Sequence, residues 1–483
     1  EVSEDGLTYT FHLRQGLEWV DSQGRKVADL TADDFVTGMQ HMMDAQGGLE
    51  YLIEGVIKNA SQYISGEVTD FAEVGVKAVD DYTVEYTLEE PCTYFNTMLS
   101  YSIFAPMSRA FYESEGGKFG AEYDSSASDY LYGKGPDSIA YCGPYVVTNA
   151  TEKNTIVFKA NESYWNKDNI NIKTMNWLYD DASDVTKWYN DAKSGTVDWI
   201  ALSPSTTVTA KNDDLFDTYA YVSDTDAFSF MNFYNLNREA YANVNDNTTG
   251  ASTKSEEEQA RTAAAMKNVH FRRALSFGLD RASYNAQVNG EELKTNSLRN
   301  CYVPGNFVSL EEDTTVSING TDTTFPAGTY FGAIEQAQID ADGVAIKVWD
   351  PDGNDGAGSS DGFDGWYNVD NAVAELDTAI EELSADGITI DEENPIYIDM
   401  AYASSLEAYS NQANAYKQSI ETSLGGKVIV NLVDCVTSDG WYYAGYYTDY
   451  GYEANYDVYD VSGWSPDFGD PSTYLDTFLP DYA

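Results

Sequence analysis

The sequence predicts a folded α/β protein with more than one structural unit. Its 483 residues are about three times the roughly 150 residues of an average domain, and 42% of them are hydrophobic. Aromatic residues make up 14% of the chain, including 38 Tyr and 9 Trp, which is enough apolar material for sizeable cores. Segments with strand-like alternation and segments with helical spacing both occur, and this mixture defines the α/β class.

The first third of the chain combines strands with a helix. Residues Leu7–Leu13 alternate apolar and polar side chains, as a half-buried strand does. Thr31 precedes an acidic pair and a stretch of helical spacing, which predicts a helix that ends near Met43 and has Thr31 as its N-cap. Two further strands are predicted at Val74–Val79 and Thr83–Leu88, because both are apolar, alternating and flank a short acidic turn.

The middle of the chain continues with strand and helix patterns that are typical of β-α-β units. Two strands are predicted between Gly143 and Asn166, and another at Ile172–Leu178. A helix at Asp184–Ser194 is closed by a glycine and followed by a predicted short strand at Val197–Ala201. Residues Asn243–Glu258 are rich in Asn, Thr, Ser and Glu, which predicts an exposed loop.

The second half of the chain is predicted to hold three amphipathic helices and a strand. Helical spacing occurs at Val269–Leu279, Asn371–Leu383 and Leu406–Leu424. The last of these helices is stopped by a pair of glycines, after which Val428–Val433 has the composition of a buried strand. We find no internal repeat.

The charge balance excludes one class of partner. The chain has 27 Lys and Arg against 80 Asp and Glu, a formal net charge of −53, so it repels phosphate backbones and no nucleic acid is expected to bind. No apolar run approaches the roughly 20 residues that span a bilayer. We expect a soluble protein with a strongly acidic, solvated surface.

The motifs of the common enzyme classes are absent. The histidines, His12, His41 and His270, have no nucleophile motif nearby, and no phosphate-binding or dinucleotide-binding glycine motif occurs. The acid-rich segment Asp350–Asp364 lacks the spacing of an EF-hand, so an acidic surface loop is favoured over a calcium site. We expect no metal, no cofactor and no catalysis, although two carboxylates of a glycoside hydrolase could be hidden among 80 acids.

The cysteines, Cys92, Cys142, Cys301 and Cys435, lie far apart and include no Cys-x-x-Cys pair, which disfavours zinc. An even number of separated cysteines fits two disulfides and an oxidising compartment, whereas four buried thiols in a cytosolic protein are the alternative. No signal-like segment follows Glu1, so either a targeting segment was removed or the chain begins within a longer protein.

Five segments share their order and spacing with a known family. They are Tyr9–Phe35 ("YTFxLRxG", a Trp and "TAxDF"), Val76–Pro91, Gly143–Tyr145 with Asn161–Trp165 ("GPY…NxxYW"), Phe271–Arg281 ("RxALxxxxDR") and Gly463–Asp476 ("GWxxDFxDP"). Together they resemble the family 5 extracellular solute-binding proteins, the peptide-binding subunits of ABC importers. Compared with that family, an opening section before the first block and a closing section after the last are expected to be absent, and with them some strands that line the family's cleft.

The resemblance implies a two-lobed, periplasmic-binding-protein-like (type II) α/β fold with an extra smaller α/β domain. Residues 1–139 are expected to form the extra domain with the start of lobe I, 140–226 the rest of partial lobe I, and 227–483 lobe II without its C-terminal section. Phe228–Tyr234 is expected to be one long strand that runs between the lobes. Members of the family close on their ligand by a hinge.

The resemblance also implies a function without catalysis, the extracellular capture of oligopeptides for an ABC importer. In oligopeptide binders the acid of the Gly-Trp-x-x-Asp block takes the α-ammonium group of the peptide, and nearby backbone pairs with the peptide as an added strand. Gly463, Trp464 and Asp467 are therefore predicted to bind ligand. Trp441 corresponds to an aromatic wall of the family's side-chain pockets, with ordinary core packing as the equal alternative. No basic partner for the peptide carboxylate occurs at Val461–Ser462, so ligands of several residues and varied sequence are expected.

Further expectations follow from the same resemblance. The partners are membrane-embedded permease subunits, the protein is a monomer, and it is a lipid-anchored lipoprotein at the extracellular face of the membrane or a periplasmic protein. Cys92 is expected to pair with Cys142, whose segments lie near each other in the family fold, which leaves Cys301 to pair with Cys435.

Two alternatives remain open at this stage. An oligosaccharide receptor of the same fold would stack sugars on aromatic rings, which 9 Trp could supply. An extracellular glycoside hydrolase is less favoured and would need two carboxylates about 5 to 9.5 Å apart across a cleft.

Overall fold

The chain forms two compact units in a computed structural model. The model describes residues 1–181, 184–223, 225–244, 250–352, 360–460, 462–475 and 478. The first unit comprises Glu1–Asp184 and Asp467–Gly469, and the second comprises Val185–Pro466 and Asp470–Ala483. The domain limits predicted near residues 139 and 226 fall inside the first and the second unit respectively, and they remain predictions.

The first unit consists of small antiparallel sheets and short helices. Its elements are β1 (Thr8–His12), β2 (Glu18–Val20), β3 (Lys26–Asp29), α1 (Asp33–Ala45), α2 (Ala60–Ile64), β4 (Val76–Asp80), β5 (Thr83–Thr87), α3 (Phe95–Met98), α4 (Arg109–Ser114), β6 (Tyr145–Thr151), β7 (Thr155–Ala160) and β8 (Thr174–Leu178). The sheets have the orders β1-β5-β4, β2-β3 and β6-β7-β8. The predicted strands of this part are confirmed. The predicted β-α-β units here are wrong, because β6, β7 and β8 are antiparallel neighbours joined by short connections.

The start of α1 differs from its prediction. The N-cap residue is Ala32 rather than Thr31, and it makes no side-chain capping bond. The side chain that accepts hydrogen bonds at this end of the helix is instead Asp34 in the first turn. Its buried carboxylate accepts the backbone N–H of Thr31 at 2.8 Å and the indole N–H of Trp19 at 2.9 Å. Burial raises the pKa of Asp34, although these hydrogen bonds lower it. The bond from Trp19 connects the start of the helix to β2.

The second unit holds most of the helices and the parallel part of the fold. Its elements are α5 (Lys187–Ser194), α6 (Pro204–Asn212), α7 (Phe216–Tyr219), β9 (Ser229–Phe230), β10 (Phe233–Tyr234), α8 (Glu256–Lys267), α9 (Val269–Gly278), α10 (Arg281–Asn289), β11 (Thr314–Ile318), β12 (Thr321–Phe325), α11 (Phe331–Ala341), α12 (Val369–Ala385), β13 (Ile396–Tyr402), α13 (Glu407–Ser423), β14 (Val428–Asp434), α14 (Ser438–Tyr443), β15 (Val458–Tyr459), β16 (Gly463–Trp464) and α15 (Ser472–Leu475). The helices predicted at α9, α12 and α13 and the strand at β14 are confirmed.

The main sheet of the second unit has the strand order β10-β15-β13-β14. Strand β13 runs parallel to both β14 and β15, and β10 is antiparallel to β15. Helix α9 packs against α12, and α13 covers β14. Between the helices and the sheet lies a core that includes fully buried Leu275, Ile398 and Tyr416.

Two predicted strands of the second unit are wrong. Val197–Ala201 forms no strand. Phe228–Tyr234 is divided into β9, which pairs with β16, and β10, which pairs with β15. Phe230 pairs with Gly463 and Phe233 pairs with Tyr459, so a spacing of three residues on one side meets a spacing of four on the other, and the ladder cannot keep its register.

The loop predicted to be exposed at Asn243–Glu258 is partly buried. Residues 245–249 lie outside the described part of the chain, but Asn243 and Lys254 are 1% and 6% exposed. Lys254 is buried because its ammonium group is paired with Asp457 and lies 3.5 Å from a carboxylate oxygen of Asp399. The composition of the loop cannot predict this burial, because the two acids that pair with Lys254 lie in distant parts of the sequence.

None of the four cysteines forms a disulfide, which contradicts the predicted pairs Cys92–Cys142 and Cys301–Cys435. Each sulfur packs in surroundings of its own. Cys92 Sγ lies 4.0 Å from the Met98 sulfur, and Cys142 packs with the Trp19 cluster. Cys301 lies beside Glu335 and Ser360, and Cys435 packs in the cluster that contains Trp441.

Candidate functional site

A large cavity lies within the second unit, at the carboxyl edge of the main sheet. Its volume is about 2530 Å³, and its walls include Leu406 and Tyr409 after β13, Trp441 after β14 and Asp460 after β15. Strands that run parallel end at the same edge of a sheet, and the segments that follow them enclose a crevice there. The start of β10 reaches this edge too, because that strand is antiparallel.

Asp460 is the most unusual residue of the cavity wall. It lies in the break between β15 and β16, where the backbone leaves the sheet. Its Oδ2 accepts a hydrogen bond from the hydroxyl of Tyr284, whereas its Oδ1 is buried and has no hydrogen-bond partner among the described residues. Burial raises the pKa of Asp460 to about 6, although the bond from Tyr284 opposes that rise. No ion pair involving Asp460 occurs among the described residues.

Trp441 gives the cavity a rigid aromatic wall. The side chain is 3% exposed, its ring centroid lies 5.2 Å from that of Tyr409, and its carbonyl accepts a 2.8 Å bond from the hydroxyl of Tyr459. The indole Nε1 is buried, and no residue within the described ranges accepts a hydrogen bond from it. Thr437 caps the helix that carries Trp441 by accepting the backbone N–H of Gly440.

The mouth of the cavity is aromatic and open. Trp199, Tyr219 and Phe230 all line it, and they are 71%, 77% and 72% exposed. Large exposed rings gathered around one opening are characteristic of surfaces that bind something. Phe228 supports the ring of Phe230, with the two centroids 4.6 Å apart.

The arginines in the cavity wall are already paired. Arg299 places two guanidinium nitrogens 3.0 and 2.9 Å from the two carboxylate oxygens of Asp361. Arg281 is 3.1 Å from Asp364 and also bonds the side chain of Asn300. The bidentate pair of Arg299 with Asp361 holds both charges in a fixed geometry, and Arg281 is held by two different side chains, so these arginines stabilise the wall.

Gly463 and Trp464, predicted to bind ligand, form β16 in the second unit. They pair antiparallel with Phe230 and Ser229 of β9. A Cβ atom at Gly463 would come within 2.4 Å of the carbonyl oxygen of Ser229, so the strand pair requires glycine there. The indole N–H of Trp464 donates a 2.6 Å bond to the carbonyl of Thr473.

Asp467, the third residue predicted from that block, belongs to the first unit. Phe468 beside it stacks on Tyr94 with ring centroids 5.4 Å apart, and the Gly469 N–H donates to the hydroxyl of Thr97 at 3.1 Å. Burial and then the charge of Asp467 raise the pKa of Tyr101, which places that acid close to the Tyr101 hydroxyl.

The structure thus brings Trp441 to the cavity, places Gly463 and Trp464 on a strand paired with its wall, and assigns Asp467 to the other unit. Sequence reasoning missed Asp460, because it lies within a run of tyrosines and acids that has no motif of its own. The available signal was its position directly after a strand and before the Gly-Trp block.

Comparison with known proteins identifies the family. The profile of the bacterial extracellular solute-binding proteins, family 5 (middle region), matches residues 1–483. The chain belongs to this family. Among curated relatives of this family 5 protein, the oligopeptide-binding protein AmiA of Streptococcus pneumoniae is 35% identical over 99% of this chain and 65% of its own length. SarA of Streptococcus gordonii, also an oligopeptide-binding protein, is 34% identical over 99% of this chain and 65% of its own length.

Solved structures confirm the predicted fold class, the two-lobed type II α/β fold. The substrate-binding domain of an oligopeptide ABC transporter from Bacillus anthracis matches with a TM-score of 0.64 and 22% identity, over 100% of this chain and 72% of that chain. Listeria monocytogenes OppA bound to peptide matches with a TM-score of 0.61 and 20% identity, over 100% of this chain and 74% of that chain. The family 5 chain thus spans 65% of the length of the curated relatives given above.

Within the described ranges, no group of three or more His, Cys, Asp or Glu side chains is arranged to hold a metal ion. The central part of the predicted acidic loop at Asp350–Asp364, residues 353–359, lies outside those ranges. No helix in the described part of the family 5 chain is long and apolar enough to cross a membrane.

Proposed function

We propose that this protein is the extracellular substrate-binding component of an ABC importer and that it captures oligopeptides without catalysis. The observation that carries the proposal is the similarity to oligopeptide-binding proteins along 99% of the chain. The proposed partners are the peptide and membrane-embedded permease subunits, and the proposed location is the outer face of the membrane, through a lipid anchor, or the periplasm. We propose that the protein acts as a monomer.

The size and lining of the cavity support a ligand that is longer than a single small molecule. Its volume of about 2530 Å³ exceeds the roughly 300–1,000 Å³ of typical small-molecule sites. Exposed aromatic rings at the mouth offer apolar contact to varied side chains. A cavity of this kind suits side chains of a peptide that is held mainly through its backbone.

The mode of capture that we propose has two elements. Within the described residues, β16 pairs with one strand, β9, so the backbone of Gly463 and Trp464 is suited to pair with an extended peptide. The carboxylate of Asp467 is the proposed partner of the peptide α-ammonium group. In this proposal the peptide lies in a cleft between two lobes that close by a hinge, with the lobe limits near residues 139 and 226.

The proposal is tested by calorimetry with the full-length protein, tetra-alanine and N-acetyl-tetra-alanine. We expect free tetra-alanine to bind and the acetylated peptide to bind more weakly, because acetylation removes the ammonium group. The change Asp467→Asn is expected to weaken binding of the free peptide by about 2 to 5 kcal/mol. The matched control is Asp129→Asn, which removes an exposed acid of the first unit and is expected to change nothing.

Two other results would overturn the peptide ligand or the role of Asp467. Binding of a cello- or chito-oligosaccharide without any peptide would replace peptide by sugar as the ligand. Equal binding of free and acetylated peptide would remove Asp467 from the site and leave peptide capture standing. Native mass spectrometry of the purified protein, which detects ligands carried through purification, provides an independent check of ligand mass.

A further inference from the structure

We propose that Asp460 forms the floor of a subsite in the second-unit cavity that selects a cationic side chain of the ligand, Lys or Arg. The inference rests on the proposed function, because it assigns one side-chain position of the bound peptide. At this one position of the peptide a cationic side chain is preferred, and varied side chains are accepted at the other positions. The subsite is formed by Asp460, Tyr284, Tyr409 and Trp441, which all line the same cavity.

The first step of the argument is the incomplete bonding of the carboxylate. Tyr284 bonds Oδ2, but Oδ1 is buried and no residue in the described part of the chain bonds it. A buried carboxylate oxygen without a hydrogen bond is strongly unfavourable, and such a group is stabilised by a proton or by a cation. Burial raises the pKa of Asp460 to about 6, which is still below neutral pH. The acid is therefore mostly ionised at neutral pH, and a cation is the fitting partner.

The second step is that the protein supplies no such cation in the described residues. The two arginines of the cavity wall, Arg281 and Arg299, are paired with Asp364 and Asp361. The two lysines of the wall, Lys193 and Lys211, are paired with Asp213 and Glu292. The titratable groups that face Asp460 are the phenols of Tyr284, Tyr416 and Tyr459, and burial raises the pKa of each of them. All three phenols are therefore neutral at physiological pH, and the cation has to come with the ligand.

The third step concerns the shape of the side chain that would reach Asp460. Lys and Arg have long apolar stems that pack on aromatic surfaces while their charged ends reach a polar partner. Trp441 and Tyr409 supply two such rings, packed edge to face with centroids 5.2 Å apart. Aromatic faces also attract a cation directly. A short cationic group, such as the α-ammonium of the peptide, has no stem to use this wall.

The test compares pentapeptides of alanine in which one position at a time is either Lys or norleucine, which has a stem of similar length without the charge. Binding to the full-length protein is measured by calorimetry at neutral pH. At one position of the series we expect Lys to bind about tenfold more tightly than norleucine, or better, as for desolvated charge pairs. The Asp460→Asn variant is expected to reduce that ratio to about twofold or less, since Asn accepts hydrogen bonds without a charge.

The matched control is Asp449→Asn, which removes an exposed acid of the same unit that does not line the cavity and should leave the ratio unchanged. Thermal unfolding of each variant shows that it is folded. Equal binding of Lys and norleucine peptides at every position overturns the subsite while peptide capture stands. A preference that survives Asp460→Asn also overturns it, and failure of every peptide to bind overturns both the subsite and the proposed function.

Discussion

At the scale of single residues, Asp460 shows how a binding group can be kept at the expense of stability. The folded protein holds this carboxyl where burial raises its pKa from 3.8 to about 6. At pH values between these two pKa values, the carboxyl group is therefore more often protonated in the folded protein than in the unfolded chain. The free energy of unfolding falls as the pH rises through this window, and at neutral pH the ionised acid destabilises the fold.

We predict that Asp460→Asn stabilises the protein at neutral pH. A shift of about two pKa units corresponds to about 3 kcal/mol, since one unit is about 1.4 kcal/mol. Denaturant unfolding at about pH 7.5 should show a gain of up to about 3 kcal/mol, which falls to about 1 kcal/mol at about pH 4.5, where the acid of the parent is protonated. Tyr284, Tyr416 and Tyr459, which face Asp460, stay neutral throughout this range because burial raises their pKa.

A loss of stability at neutral pH would contradict this prediction, and a gain that is the same at both pH values would show that the charge of Asp460 is not its cause. The exposed Asp449→Asn variant serves as the control, with an expected change within about 0.5 kcal/mol at either pH.

At the scale of elements, a buried ion cluster joins a segment of low hydrophobicity to the main sheet. Arg238 and Lys254 are 8% and 6% exposed and meet Asp399 on β13 and Asp457 just before β15. Burial alone would raise the pKa of Asp399, but the charges of Lys254 and Arg238 lower it. The hydroxyl of Ser252 adds a 2.6 Å bond to the same acid. The segment before α8 is thereby held against the strands that lead to the cavity.

Replacing one cation of this cluster leaves a buried acid without its full compensation. We predict that Lys254→Met lowers the free energy of unfolding by about 3 to 5 kcal/mol, as for broken buried ion pairs. Lys267→Met, an exposed lysine at the end of α8, is the control and should change stability by less than about 0.5 kcal/mol. The measurement is denaturant unfolding at neutral pH, and equal midpoints for the two variants would show that the cluster contributes little.

At the scale of the whole molecule, the formal net charge of −53 creates a field that acts on any charged ligand. Such a field raises the rate at which cations arrive and lowers it for anions. Dissolved salt screens the field over a distance of about 10 Å at 0.1 M ionic strength. The charge thus affects association kinetics, whereas Asp460 is proposed to affect how long a cationic side chain stays bound.

We predict that the association rate constant of a lysine-containing pentapeptide falls by about tenfold or more when ionic strength rises from about 10 mM to about 150 mM. The norleucine peptide should change far less, because it has no charge beyond its two termini, which cancel. Stopped-flow tryptophan fluorescence measures both rates. A similar salt dependence for the two peptides would show that the field of the protein does not steer the ligand.

The sequence by itself determined the fold class, the family and most regular elements. Local periodicity predicts strands such as β1 and β14 and helices such as α9 and α13. The reason is that the spacing of apolar residues along a short segment shows which face of the element is buried. The Gly-Trp block was also recognisable, although only the structure shows that Gly463 is required by the close approach of Ser229.

The tertiary structure alone decided the features that depend on partners far along the chain. The strand predicted at Phe228–Tyr234 is broken because of what it faces across the ladder, and Lys254 is buried because two distant acids neutralise it. The cysteines form no disulfide because each packs in separate surroundings. Asp460 is recognisable only from the tertiary structure, as an acid of the cavity wall with one oxygen that no described residue bonds, since burial and missing partners are properties of three-dimensional neighbours and not of local sequence.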